Sequence, residues 1–398
     1  MKYDFTTIID RTGYNTVSVD ELPFSDVQVE EGFTRFPMWV ADMSFATAPV
    51  VQEHIINRVN HPTFGYYNYS DEYYNSIINW HHTRNGVEGL TREHIGYENG
   101  VIGCLSSALS TFTSPGSAIL LHSPTYTGFS HTIEDSGRKL VLSPLKRDDQ
   151  GIWRMDYEDM DKKLKENQIH FAVFCSPHNP SGRVWEKEEI EKAMEVYRRN
   201  DCIVISDEIW SDLILTGHKH IPTQSVSEDA RNRTIAIYAP SKTFNLAGLI
   251  GSYHIIYNPY LRDRIRKTAS LCHYNNMNVL SMHALIGAYT DEGQEWLEEL
   301  RQTLTENVDY AYHFILEHFP GVELAKPQGT YMLYLDCTKW CKTHQVDIDE
   351  LLRAGIRVGV IWQDGRPFHR PNSIRVNVAL PHSQVVEAFD RLAKYVFR

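Results

Sequence analysis

At 398 residues, with 42% hydrophobic and 23% charged side chains, the chain has the composition of a globular protein able to bury a sizeable core in two or three domains, or in one large core with a satellite. Its formal net charge of -12 argues against a surface built for nucleic acid or anionic lipid, which both attract excess lysine and arginine, and favours a small-molecule partner. No run of about 18 apolar residues occurs, the opening MKYDFTTIIDRTG has no apolar signal core, and the 6 cysteines form no paired framework, so a cytoplasmic protein that neither spans nor binds a membrane is expected.

In chain order, residues 1–45 read as an N-terminal arm that completes part of a smaller domain. The stretch YENGVIGCLSSAL (97–109) is a glycine-marked turn into an apolar helix, and the first amides of such a helix suit an anion. The runs GSAILLHSP, QIHFAVFCSP, DCIVISDE, RTIAIYAP and GSYHIIYNP follow as strands. Between two of them, EKEEIEKAMEVYRRN places Ile190, Ala193, Met194 and Tyr197 at the spacing of an amphipathic helix. Apolar strands alternating with helices predict an α/β fold with a mostly parallel sheet between helices. After about residue 287 the texture changes to charged helices and shorter strands (TYMLYLD, SIRVNVAL), which predicts a smaller α+β domain. The expected division is 1–45, 46–287 and 288–398.

Open α/β sheets bind ligands at the carboxyl ends of their strands. Tyr126 (SPTYTGF), Asn179 (SPHNPSGRVW), Asp207 (ISDEIW) and Lys242 (APSKTFNLAG) all sit there. Each has an ordinary alternative, since NPSG is a good turn and an aspartate can cap a helix. Together they are what pyridoxal 5'-phosphate requires. A lysine pressed among apolar residues supplies an amine of lowered basicity. An aspartate keeps the pyridine nitrogen protonated through a charge-assisted bond of about 1.5–3 kcal/mol. Asn179 reaches the ring phenolate, Tyr126 offers a stacking face, and the turn at Gly100 to Gly103 takes the phosphate.

These motifs, together with YDFTTIIDRTGYNTVSVD, PMWVADMSFATAPVV and FGYYNYSDEYYNSIINWH, resemble the fold-type I pyridoxal phosphate enzymes of the aspartate aminotransferase superfamily. The resemblance is to their MalY/PatB group of cystathionine β-lyases and cysteine desulfhydrases, and it covers nearly the whole chain. It implies Lys242 as the Schiff-base lysine, Asp207 as the pyridinium partner, Asn179 as the phenolate contact and Tyr126 as the stacking ring. It further implies Arg375 as the grip on the substrate α-carboxylate, with Ala41 beside it, where the superfamily often has glycine. Tyr66 is implied to reach the phosphate of a neighbouring subunit, hence a homodimer with shared sites. Phosphate binding falls to Ser241, Tyr66 and the amides of Val101, Ile102 and Gly103.

The chain also departs from the superfamily. Trp210 stands where typical aminotransferases carry a tyrosine, and Ile250 where they carry a phosphate-binding arginine; the lyase-like group tends to lack that arginine too. Ser44 stands where the group often has aspartate. The implied reaction is β-elimination from an L-cysteine S-conjugate such as cystathionine, giving a thiol, pyruvate and ammonia. An aminotransferase shares every step up to the carbanion and is the alternative, followed by a cofactor-binding regulatory protein. No metal site is expected: the 19 histidines form no HExxH motif, CTKWC lacks zinc-knuckle spacing, and the pair at 81 and 82 reads as a solvated helix face.

Overall fold

The computed structural model describes residues 1–272 and 276–398. A seven-stranded sheet carries the strands Ile95–Glu98, Ser252–Ile255, Thr234–Tyr238, Ile203–Asp207, Phe171–Cys175, Ala118–Ser123 and Lys139–Pro144, in that spatial order. From Thr234–Tyr238 to Lys139–Pro144 the neighbours are parallel, whereas Ser252–Ile255 runs antiparallel to both of its neighbours. The apolar run 251–259 is therefore a strand of opposite direction to the others, which hydropathy does not encode.

Successive side chains point to opposite faces and both faces are covered, which explains why the central strands are largely apolar. Ile119, Leu121, Val173 and Ile205 pack with Val101, Leu105 and Leu109 of the helix Gly100–Phe112 on one face. Leu120, Ala172, Phe174 and Val204 pack with Ile190, Ala193, Met194 and Tyr197 of the helix Lys187–Arg199 on the other. That second helix keeps the expected amphipathic face and starts with a capping box between Glu186 and Glu189.

A second, four-stranded sheet has the order Phe36–Met38, Val360–Asp364, Ser373–Asn377, Met332–Asp336. Its first strand comes from the N-terminal arm and pairs parallel with Val360–Asp364. The arm then passes from this sheet to the strand ends of the larger one, which brings residues 39 to 45 between the two.

One expectation is corrected. His82 is exposed, but His81 is buried at 2% exposure, its Nε2 2.9 Å from the Tyr253 hydroxyl, and burial lowers its pKa to about 4. It continues the buried stripe of Tyr73, Ile77 and Trp80 on the helix Asp71–Asn85. Among the described residues no helix is long and apolar enough to cross a membrane, and no group of three or more side chains is placed to hold a metal ion.

Candidate active site

The buried strand Thr234–Tyr238 leads directly into the short helix Pro240–Thr243, opened by a proline in its first turn, which presents Lys242 at the strand's carboxyl end. Lys242 Nζ donates to the Ala41 carbonyl at 2.8 Å and lies 6.0 Å from the centre of the Trp210 ring. Burial, assisted by the Arg375 guanidinium and opposed by Asp42 and Asp207, brings its pKa down to about 8. Behind it, Thr243 donates to Asp212 at 3.1 Å, and Asp212 is paired with Arg84 at 3.0 Å and accepts from the Trp80 indole at 3.2 Å.

Asp207 ends the adjacent strand with 5% exposure, and one of its oxygens accepts the Ile209 amide at 3.1 Å. Among the described residues no other donor reaches that carboxylate. Burial pushes its pKa up to about 7. Glu208 turns the other way and is fully engaged, against His220 Nε2 at 2.8 Å, the Tyr238 hydroxyl at 2.7 Å, Ser206 Oγ at 2.9 Å and the Thr223 amide at 3.0 Å. Burial opposes its charge, but these partners hold it below the usual carboxylate range. Of two consecutive buried carboxylates, then, one is satisfied by the protein and the other is left facing the cavity.

That cavity, about 210 Å³, is lined by Lys242, Asp207, Asn179, Trp210 and Ala41, by Tyr126 and the helix-start residues Gly100, Val101 and Ile102, and by Ser241 and Ile250. Tyr126 immediately precedes the helix Thr127–Asp135, and Gly128 makes room for its ring, since a Cβ there would lie 2.5 Å from Tyr126 Cε1. Gly100 opens its helix at φ +81°, a conformation costly for any side chain, and the Asn99 side chain caps none of the first amides. Val101 and Ile102 line the cavity, whereas Gly103 of the expected phosphate turn does not. Ile250, at φ 43°, lines the cavity too, and Lys242 is the one basic side chain among the lining residues.

Arg375, on the strand Ser373–Asn377, is buried beside this cavity. It donates to Asn179 Oδ1 at 3.3 Å and to the Trp39 carbonyl at 3.0 Å, and its guanidinium lies 4.8 Å from the Phe368 ring centre. Burial lowers its pKa to about 10, which leaves it cationic at neutral pH. Tyr66 is fully exposed and lines a separate hollow with Phe64, Tyr67 and Tyr69, outside the cavity of its own chain. Ser44 contacts Arg11 at 3.5 Å, while Asp42 takes the ion pair with Arg11 at 2.6 Å.

The residues present fit pyridoxal phosphate. A buried carboxylate without a cationic partner matches a protonated ring nitrogen, a buried amine of lowered basicity matches the aldehyde, and uncapped helix amides match the phosphate. Lys242, Asp207, Asn179 and Tyr126 would hold the ring, and Val101, Ile102 and Ser241 the phosphate. Sequence reasoning missed Asn245 and Asn377, which pin the segment around Ala41. The one available signal was that Asn377 stands two residues after Arg375 on a strand and so shares its face.

A lysine, an aspartate and an asparagine at successive ends of a mostly parallel sheet, faced by an arginine from a second sheet, define a pyridoxal phosphate fold. The model of the family "Aminotransferase class I and II" matches residues 40–392. Cystathionine beta-lyase PatB of Bacillus subtilis is 36% identical over 300 residues, 75% of this chain and 77% of PatB. Protein MalY of Escherichia coli is 29% identical over 395 residues, 96% of each chain. The solved PLP-bound C-S lyase of Staphylococcus hominis superimposes with a TM-score of 0.88 at 30% identity, covering 98% of both chains. The chain belongs to the aminotransferase class I and II family and, within it, to the group that contains PatB and MalY.

Proposed function

We propose that the protein is a pyridoxal phosphate-dependent carbon-sulfur β-lyase that cleaves L-cystathionine or a related L-cysteine S-conjugate to a thiol, pyruvate and ammonia. The observation that carries this reading is the convergence on one small cavity of the Lys242 amine, the Asp207 carboxylate with no cationic partner and Asn179, which Arg375 binds from beside the cavity. When bound, the cofactor supplies an electron sink for the carbanion formed at the substrate α-carbon.

The chain's own residues do the rest. Arg375 binds the α-carboxylate, for which its planar fork is suited, and Asn179 holds that fork in place. The Lys242 amine, with its pKa brought down to about 8, removes the α-proton, because a base working near its own pKa is present in both protonation states. Asp207, itself buried, keeps a positive charge on the ring nitrogen favourable. The Trp210 ring, 6.0 Å from the amine and packed edge to face on Tyr331 at 4.9 Å, forms a wall beside it.

The test is multiple-turnover assay of L-cystathionine without any 2-oxo acid. Continuous release of pyruvate and homocysteine is expected. A single stoichiometric turnover that resumes on addition of 2-oxoglutarate would make the protein an aminotransferase.

The same reading includes a homodimer, in which Tyr66 completes the phosphate end of the other subunit's site, and a cytoplasmic location, in keeping with the free cysteines. Mixing Lys242→Ala with Tyr66→Phe subunits forms heterodimers with one unmutated site, so activity should rise on mixing above the mean of the two variants; a fully active monomer would overturn the arrangement. The domain division at 45/46 and 287/288 is proposed with it, since every strand of the larger sheet lies within residues 46–287.

A further inference from the structure

The carbonyls of residues 39 to 43 are all taken by side chains from the two walls of the site. Arg375 donates to Trp39 O at 3.0 Å, Asn377 to Val40 O at 2.8 Å, Lys242 to Ala41 O at 2.8 Å, Asn377 again to Asp42 O at 2.6 Å and Asn245 to Met43 O at 2.9 Å. Asn377 is buried, and it uses both amide hydrogens on the carbonyls that flank Ala41 while its own oxygen accepts the Ala379 amide at 2.7 Å. With both neighbouring carbonyls tied to Asn377, that of Ala41 is left facing Lys242.

We propose that Asn377 is a positioning residue that aims the Ala41 carbonyl at the Lys242 amine. This rests on the function proposed above only for its catalytic consequence. A carbonyl that accepts one hydrogen of a neutral amine fixes rotation about the Cε–Nζ bond and thereby the direction of the lone pair, which is the part of Lys242 that takes the proton. Asn377 shares a strand face with Arg375, so one strand sets both the carboxylate grip and, through the segment 39–43, the aim of the base. Asn245 binds the amide and carbonyl of Met43 and the Phe45 carbonyl, which anchors the same segment without flanking Ala41.

The test compares Asn377→Ala with Asn245→Ala in two measurements. In steady-state assay with cystathionine, Asn377→Ala should lower kcat about tenfold while KM moves by less than about twofold, with a larger primary isotope effect on α-deuterated substrate. In cofactor-free protein, the pH midpoint for acylation of Lys242 by acetic anhydride, read by mass spectrometry, should fall by about half a unit, since a lost acceptor disfavours the ammonium form. Arg375, Asp42 and Asp207, the charged groups that act on Lys242, are unchanged in the variant. Asn245→Ala should leave that midpoint in place. An unmoved midpoint in Asn377→Ala, the same shift in both variants, or a loss confined to KM would reduce Asn377 to a scaffold residue and overturn the proposal. If Asn377→Ala does not fold, Asn377→Ser retains one donor and should show the same changes at smaller size. Should the wild type fail to cleave cystathionine, the proposed function falls, while the acylation midpoints still decide the role of Asn377.

Discussion

At the Lys242 end of the cavity the chain is densely bound to itself: the amine to Ala41, Arg375 to Trp39 and Asn179, Thr243 to Asp212 and Arg84 behind it. At the Gly100 end there is little but backbone, an uncapped helix start, Ser241 and a left-handed Ile250. The contrast follows from what each end must do. Moving a proton demands a side chain held within a fraction of an ångström, so its surroundings are specified residue by residue. Holding an anion demands several N–H groups pointing one way, which a helix start supplies whatever its side chains are. Damage at the first end should therefore abolish chemistry, and damage at the second should weaken occupancy.

The largest effect is expected from Lys242→Ala, which removes the reacting amine and should cut pyruvate formation from cystathionine by about 10⁴-fold or more with the fold intact by circular dichroism. Turnover within about a hundredfold of wild type would show that this end does not carry the chemistry. Asp207→Asn keeps the shape and the Ile209 contact but removes the negative charge, and a loss of about 10²–10³-fold in kcat is expected. Unchanged kcat would mean that the ring nitrogen's charge is not used.

The two ends also differed in how far the sequence disclosed them. Lys242, Asp207 and Asn179 were legible because apolar runs locate strand ends and chemistry-bearing residues stand out there. The network that aims them was not. Asn377 and Asn245 reach the segment 39–45 from partners 337 and 200 positions away in the sequence, and no local pattern records such a contact. Strand direction was equally hidden, which is why Ser252–Ile255 read like its parallel neighbours. The strand Ile95–Glu98 at one edge of the sheet is too short to announce itself, and Lys139–Pro144 at the other is only partly buried and has a mixed composition. At the Gly100 end the glycine marked the helix start correctly, but which of the first amides line the cavity depends on helix phase, and Gly103 falls off it.

At that end, Gly100→Ala tests occupancy rather than chemistry. An added Cβ meets nothing within 4 Å, so the whole cost is the φ of +81°, about 1–2 kcal/mol for a residue with a side chain. Because the cofactor-free turn can relax from that φ and binding must restore it, cofactor affinity, measured by titrating cofactor-free protein and following absorbance, should fall about tenfold, with kcat at saturating cofactor unchanged. A matching fall in kcat would mean that the two ends are not separable.

The smallest effect separates the cost of the Lys242 end from its use. Burial raises Asp207 from 3.8 to about 7, so between these values the folded, cofactor-free protein holds a proton that the unfolded chain has released. The stability this group contributes is complete below about pH 4 and lost as pH rises through 7, because folding then requires either a buried charge or proton uptake. Asparagine has no such dependence. Cofactor-free Asp207→Asn should therefore gain on wild type as pH rises from 4 to 7 and keep a constant margin above, by at least about 1 kcal/mol. Burial lowers His81 and His122 to about 4 in both proteins, so the acid destabilisation they cause cancels in the difference. Denaturant midpoints of the two proteins at pH 4.5, 6, 7 and 8 measure it. Saturating pyridoxal phosphate should erase the margin, since a protonated ring nitrogen gives Asp207 the cationic partner it lacks. A margin that is flat with pH, or that survives the cofactor, would mean that the Asp207 carboxylate is not the group held ready for the ring.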